Sequence, residues 1–183
     1  MKLKMVDQKT EELKLSGWNK ILISALVVLL ITGCTYDRDL FHKPKNVSAK
    51  TLNAGPTSSL VRSSRKERKS PSGIYDVKSS YRIKYTSDTI VAKKGAQFGI
   101  EFILLATTKG KVKIKAVWTF PEPIVNENGK VFKSYTFKDS RFTHERRYLE
   151  FVLKEEYMVV KGPWKLELFH KRNKILEKVF HLI

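Results

Sequence analysis

Lys111-Val-Lys-Ile-Lys-Ala-Val-Trp-Thr-Phe120 is the stretch from which the fold can be read. Val112, Ile114, Ala116, Trp118 and Phe120 take every second position, and Lys111, Lys113 and Lys115 stand between them. Side chains of a strand point alternately to opposite faces, so the spacing predicts a strand with one buried and one wet face. Pro121 and Pro123 follow, and proline cannot donate to a ladder, so the strand is expected to stop there.

The neighbouring segments have the same character. Upstream, Phe98 to Thr107 is apolar on both faces around Gly99 and Glu101, which predicts a central strand. Further upstream, Tyr75, Val77, Tyr81, Ile83 and Tyr85 are in register on one face and Asp76, Lys78, Ser80, Arg82 and Lys84 on the other. Downstream, Asn128-Gly129 signals a turn. Val131 to Lys138 and Arg141 to Leu153 are expected as strands, with a short apolar piece at Tyr157 to Val160. Gly162-Pro163 breaks the chain, Trp164, Leu166 and Leu168 alternate, Lys171 to Lys174 turns it, and Ile175 to Leu182 returns. Seven or eight short strands over residues 73–183 predict an all-β, antiparallel immunoglobulin-like β-sandwich. Trp118 and Trp164 share register with Leu, Ile and Val, which marks them as core residues and not a stacking platform.

The other end of the chain has a different signature. Ile21 to Ile31 is an apolar run of eleven residues, broken only by Ser24, with Lys2, Lys4, Lys9, Lys14 and Lys20 before it. A membrane span needs about 20 apolar residues, so the run has the length of an export signal. Ile31-Thr32-Gly33-Cys34 ends it with small residues and a thiol. This tetrapeptide resembles the lipobox of bacterial lipoproteins. The resemblance implies cleavage after Gly33, acylation of Cys34, and residues 1–33 as a signal peptide. Two acyl chains would anchor the chain stably to a bilayer, at about 0.8 kcal/mol per buried methylene. Thr35 stands where such lipoproteins carry Asp for retention, so the resemblance implies the outer membrane, facing the periplasm. The residues alone also permit an uncleaved anchor, since the leading segment is long and carries Asp7, Glu11 and Glu12.

Cys34 is the only cysteine, so zinc fingers, iron–sulfur clusters and Cys-x-x-Cys redox chemistry are excluded. In an oxidising envelope, acylation would also block a lone thiol. The net charge is +18 for the whole chain and +16 from Cys34 onward. Such a charge favours anionic partners: phospholipid, lipopolysaccharide or acidic glycan, with nucleic acid not expected outside the cytosol.

Residues 34–72 are rich in Ser, Thr, Asn and Lys, with Pro44, Pro56 and Pro71, and are expected to form a disordered basic tether. Within it, Arg62, Arg65, Lys66, Arg68 and Lys69 are read either as a docking patch for anionic lipid or as a solvated spacer. Lys111, Lys113 and Lys115 would stand ~6.6 Å apart on their strand. They are read either as a ladder for anionic groups or as a wet face that discourages edge pairing.

From 73 to 183 the chain also resembles the bacterial domain of unknown function 3859. The resemblance rests on Gly73-Ile74-Tyr75, on Gly95 through Glu101, on Trp118-Thr-Phe-Pro121, on Gly162-Pro-Trp164 and on Leu176 through Phe180. It implies a small envelope β-domain and brings no activity or catalytic residues.

No catalytic constellation emerges. His42 lies in the tether. A turn at 171 to 174 would place His170 opposite Ile175 and His181 opposite Trp164, roughly 20 Å apart along the ladder, beyond one metal ion. Glu155 and Glu156 in a strand would face opposite sides. No Gly-x-Ser-x-Gly elbow or phosphate-cradling glycine loop is present. The expectation is a lipid-anchored envelope protein, not an enzyme, with no cofactor and no metal. Its partners would be membrane lipid through Cys34, and anionic lipid, lipopolysaccharide or an envelope protein.

Overall fold

The computed structural model describes residues 43–183. The signal segment, Cys34 and His42 lie outside them. The described chain is all-β: β1 Ser48–Lys66, β2 Ile74–Ile83, β3 Thr89–Ile90, β4 Gln97–Leu105, β5 Lys111–Val125, β6 Val131–Phe142, β7 Arg146–Val152, β8 Gly162–His170 and β9 Asn173–Leu182. A 3-10 turn at Glu156–Met158 stands where a short extended piece is expected. The strands form a four-stranded sheet, β2-β1-β4-β7, and a five-stranded sheet, β3-β9-β8-β5-β6. All pairings are antiparallel except the short parallel ladder of β3 with β9.

The alternation of β5 does what the spacing predicts. Val112, Ile114, Ala116, Trp118 and Phe120 are buried, and Lys111 and Lys113 are exposed. They meet Phe98, Ile100, Phe102 and Leu104 of β4 across the core. Phe98, Trp118, Phe151, Trp164 and Phe180 form its centre, with ring centroids 5.0 to 6.2 Å apart. Burial of each such ring contributes about 1.5–3 kcal/mol. β4 is internal to its sheet, flanked by β1 and β7.

The largest departure from expectation is β1. Residues 43–72 are not a tether: a 19-residue strand fills most of that span. Most of its side chains are small, polar or cationic, and Leu52, Leu60 and Val61 are too few to set an apolar period. What orders it is the main chain. Ser48 to Pro56 pairs with β4, and Thr57 to Lys66 pairs with β2. Backbone hydrogen bonds along both halves supply the ordering that apolar burial does not.

Three further boundaries differ. β5 runs past Pro121 and Pro123 to Val125, because the ladder to β6 skips from Thr119 to Ile124 and demands no N–H from either proline. β6 continues to Phe142 instead of stopping at Lys138, because Asp139 to Phe142 stay in the ladder opposite Ile114 to Lys111 of β5. The turn falls at Thr143-His144, where His144 takes φ 61°. Thr143 is fully buried, accepting from Gly110 N at 3.0 Å and donating to Thr108 O at 3.1 Å. Finally, Lys171-Arg172 make a two-residue turn with Lys171 at φ 56°. His170 therefore faces Asn173 and His181 faces Pro163, not Ile175 and Trp164.

A hairpin across the sheet

β1 and β2 form a hairpin that leaves the sandwich beyond Pro56 and lies over the outer side of the four-stranded sheet. Gly55 and Gly99 are ladder partners beneath it. A Cβ on Gly99 would collide with the Leu149 carbonyl and the Tyr81 hydroxyl, so only glycine lets Tyr81 lie flat there. Tyr81 donates to Leu149 O at 3.1 Å and packs on Tyr148 at 4.4 Å. Glu150 is 2 % exposed under the hairpin. It accepts from Thr57 Oγ1 and, at 3.0 Å, from Ser59 Oγ, and it pairs with Lys78. Burial pushes the Lys78 ammonium down to about 8, against the pull of Asp76. The same burial raises the Tyr81 hydroxyl well above its usual range. At the tip, Tyr157 donates to Pro71 O at 3.2 Å and Lys130 Nζ to Arg68 O at 2.7 Å.

Candidate functional site

The sequence-derived cations occupy two separate places. Arg62, Arg65 and Lys66 lie on the exposed distal half of β1, and Arg68 and Lys69 in the hairpin loop. Arg65 stacks over the Tyr75 ring at 4.7 Å, and Arg68 adjoins the β5–β6 turn through Lys130. These residues are part of the folded domain, not of a free spacer. Lys111, Lys113 and Lys115 stand on the outer face of the five-stranded sheet, at the opposite end of β5 from that turn. The fold does not join the two groups into one patch.

The lysine face acquires a fourth member that sequence reading missed. Lys138 of β6 is the direct ladder partner of Lys115. Like charges placed opposite each other oppose pairing. Lys115 holds its ammonium over the Phe169 ring at 4.3 Å, and Lys111 lies 6.0 Å from the Phe142 ring. Among the described residues, none of these four lysines forms an ion pair, whereas Lys165 and Lys174 on the same sheet are matched with Glu167 and Glu177. Phe142 is 42 % exposed beside Lys111. The result is a cationic surface with an aromatic component, suited to a polyanion or a headgroup layer.

A cleft of about 560 Å³ opens between edge strands β6 and β7, with Ile74 to Tyr81 of β2 lining another side. Tyr135, Phe137, Leu149 and Phe151 line it, together with Arg141 and Arg147. The two arginines continue the inward rows of their strands: Arg141 is opposite Val112, and Arg147 is opposite Phe102. Charged residues in register with an apolar row were the available sequence signal, and the strand boundary expected between Lys138 and Arg141 hid it. Burial raises the Tyr135 hydroxyl to about 12, with Glu67 and Tyr75 adding to it.

The remaining candidates are dispersed. His144 contacts Ala106 O at 3.0 Å and His170 contacts Lys113 O at 2.9 Å, on different strand ends. Glu155 pairs with Lys94 at 3.1 Å, while Glu156 begins the 3-10 turn.

An immunoglobulin-like sandwich with charged outer surfaces is the class that this architecture defines. The chain belongs to the family described as domain of unknown function (DUF3859), whose profile matches residues 60–182. The match begins inside β1, in agreement with a domain that starts before Gly73. Among solved structures the chain is similar to an immunoglobulin-like protein from Pseudomonas aeruginosa. That likeness has 18 % identity and a TM-score of 0.55, over 76 % of this chain and 98 % of that one. A weaker likeness is to a Pseudomonas fluorescens alkylpurine DNA glycosylase bound to DNA with an abasic site analog. It has 13 % identity and a TM-score of 0.35, over 51 % of this chain and 28 % of that one, too low to carry an argument. No curated protein matches the chain.

Proposed function

We propose that the chain is a lipid-anchored cell-envelope protein, held by acyl chains on Cys34, whose immunoglobulin-like domain is a non-catalytic binding module for anionic envelope polymer or lipid. The unpaired lysine face carries the binding part of this reading. Lys111, Lys113, Lys115 and Lys138 keep like charges in close register without a neutralising acid. A polyanion such as lipopolysaccharide or an acidic glycan would relieve that repulsion, at about 1 kcal/mol per lysine near an anionic surface. The lipobox-like Ile31-Thr32-Gly33-Cys34 supports the anchor, and Thr35 supports the outer membrane facing the periplasm. Nucleic acid is not the expected partner in that compartment.

Two measurements test the two halves. Mass analysis of the N-terminus from membranes is expected to show an acylated Cys34. An unmodified full-length chain free in the cytosol would refute the anchor. Retention on immobilised lipopolysaccharide is expected to fall steeply with salt, because the screening length shrinks from about 10 Å at 0.1 M to about 3 Å at 1 M. Replacing the four lysines by Gln should abolish most of it. Retention unchanged by salt or by the substitutions would refute the lysine face.

A further inference from the structure

The cleft between β6 and β7 carries a feature that the lysine face does not explain. Arg141 and Arg147 each have a guanidinium Nε shielded from solvent and without a hydrogen-bond acceptor. Nearly all buried donors in folded proteins are paired, so such orphans call for a partner. Neighbouring acids satisfy only part of each guanidinium: Arg141 pairs with Asp139, and Arg147 pairs with Glu145. Lys109 also reaches Glu145, at 3.6 Å. The two arginines thus face two carboxylates, and Lys109, whose side chain is 68 % exposed, lies outside the cleft lining. At the rim, Lys78 and Lys154 are likewise matched by Glu150 and Asp76. Between the two ends, Tyr135, Phe137, Leu149 and Phe151 supply rings and aliphatic groups from β6 and β7, while the β2 side adds Ser79 and Ser80. The volume of about 560 Å³ falls within the range of small-molecule sites.

From this we infer that the cleft is a binding site for a small amphipathic carboxylate, with its acid group against the guanidinium groups of Arg141 and Arg147 and its apolar body along β6 and β7. A guanidinium group donates to the oxygens of a carboxylate through charge-assisted hydrogen bonds. The rings and aliphatic groups on β6 and β7 favour a hydrocarbon body over a second charge there. The site is independent of the lysine face and of the anchor.

Isothermal titration calorimetry of the full chain with decanoate, decanol and acetate tests it. Saturable binding of decanoate is expected, with decanol about tenfold or more weaker and acetate not saturating. That ratio is what loss of charge-assisted hydrogen bonds produces. The Arg141→Gln/Arg147→Gln variant should lose about tenfold for decanoate and leave decanol unchanged. Equal affinity for decanoate and decanol, or no saturable binding, would overturn the assignment. Should the variant fold poorly, amide shift mapping on the unsubstituted chain decides. Shifts along Tyr135 to Arg141 and Arg147 to Phe151 support the site, and shifts confined to Lys111 to Lys115 refute it.

Discussion

Replacing Glu150 by Gln perturbs the point where the hairpin is pinned. The carboxylate is 2 % exposed and serves Thr57, Ser59 and Lys78 together. Gln keeps the shape and one acceptor oxygen. Its amide nitrogen cannot accept, so one hydroxyl loses its partner and Lys78 loses its counter-charge. Breaking a buried pair costs about 3–5 kcal/mol when the survivor is trapped. Lys78 is not fully trapped, since 21 % of its side chain is exposed. The expected loss is therefore about 2–3 kcal/mol at neutral pH. Urea denaturation should show a lower midpoint with an unchanged slope. A double-mutant cycle with Lys78→Met should return a coupling of about 1–2 kcal/mol. Amides of Thr57 to Lys66 and Ile74 to Ile83 should exchange faster than those of β5 and β8, because every partner of Glu150 lies in the hairpin. A loss below about 0.5 kcal/mol, with no coupling, would refute the buried pair.

Stability should also depend on pH through Lys78. Its folded value is lowered to about 8 from 10.5, so between those values the unfolded chain binds more protons and stability rises with pH. The difference between the unsubstituted chain and Lys78→Met, followed by denaturation from pH 7 to 10.5, should grow across that window. Gly99→Ala should cost about 1–3 kcal/mol or more by driving its methyl into the Leu149 carbonyl and the Tyr81 hydroxyl, visible by NMR as loss of Tyr81–Tyr148 contacts and weakened β4–β7 pairing. Trp164 Nε1 donates to Val160 O at 2.8 Å, whereas Trp118 Nε1 is buried without an acceptor. Trp164→Phe should therefore destabilise by about 1 kcal/mol more than Trp118→Phe in paired urea titrations.

Local pattern was enough for much of the domain. The period of two in β5, and the in-register Trp164, Leu166 and Leu168, placed the aromatic core and the sandwich, because apolar side chains at that spacing have one way to leave water. The same pattern put Lys111, Lys113 and Lys115 on a wet face. It did not reveal Lys138 beside Lys115, because that pairing joins residues brought together only by the β5–β6 register.

Folding alone decided the rest. β1 carries no apolar period, and its order comes from backbone partners supplied by β2 and β4, which no reading of residues 48–66 in isolation contains. A side chain is excluded at Gly99 only because the Leu149 carbonyl and the Tyr81 hydroxyl arrive there from other strands. Arg141 and Arg147 meet at one cleft only because two edge strands of different sheets flank it. Periodicity along a chain records which side chains must avoid water. Which strands become neighbours, and so which charges share a surface, depends on long-range pairings that the local pattern does not encode.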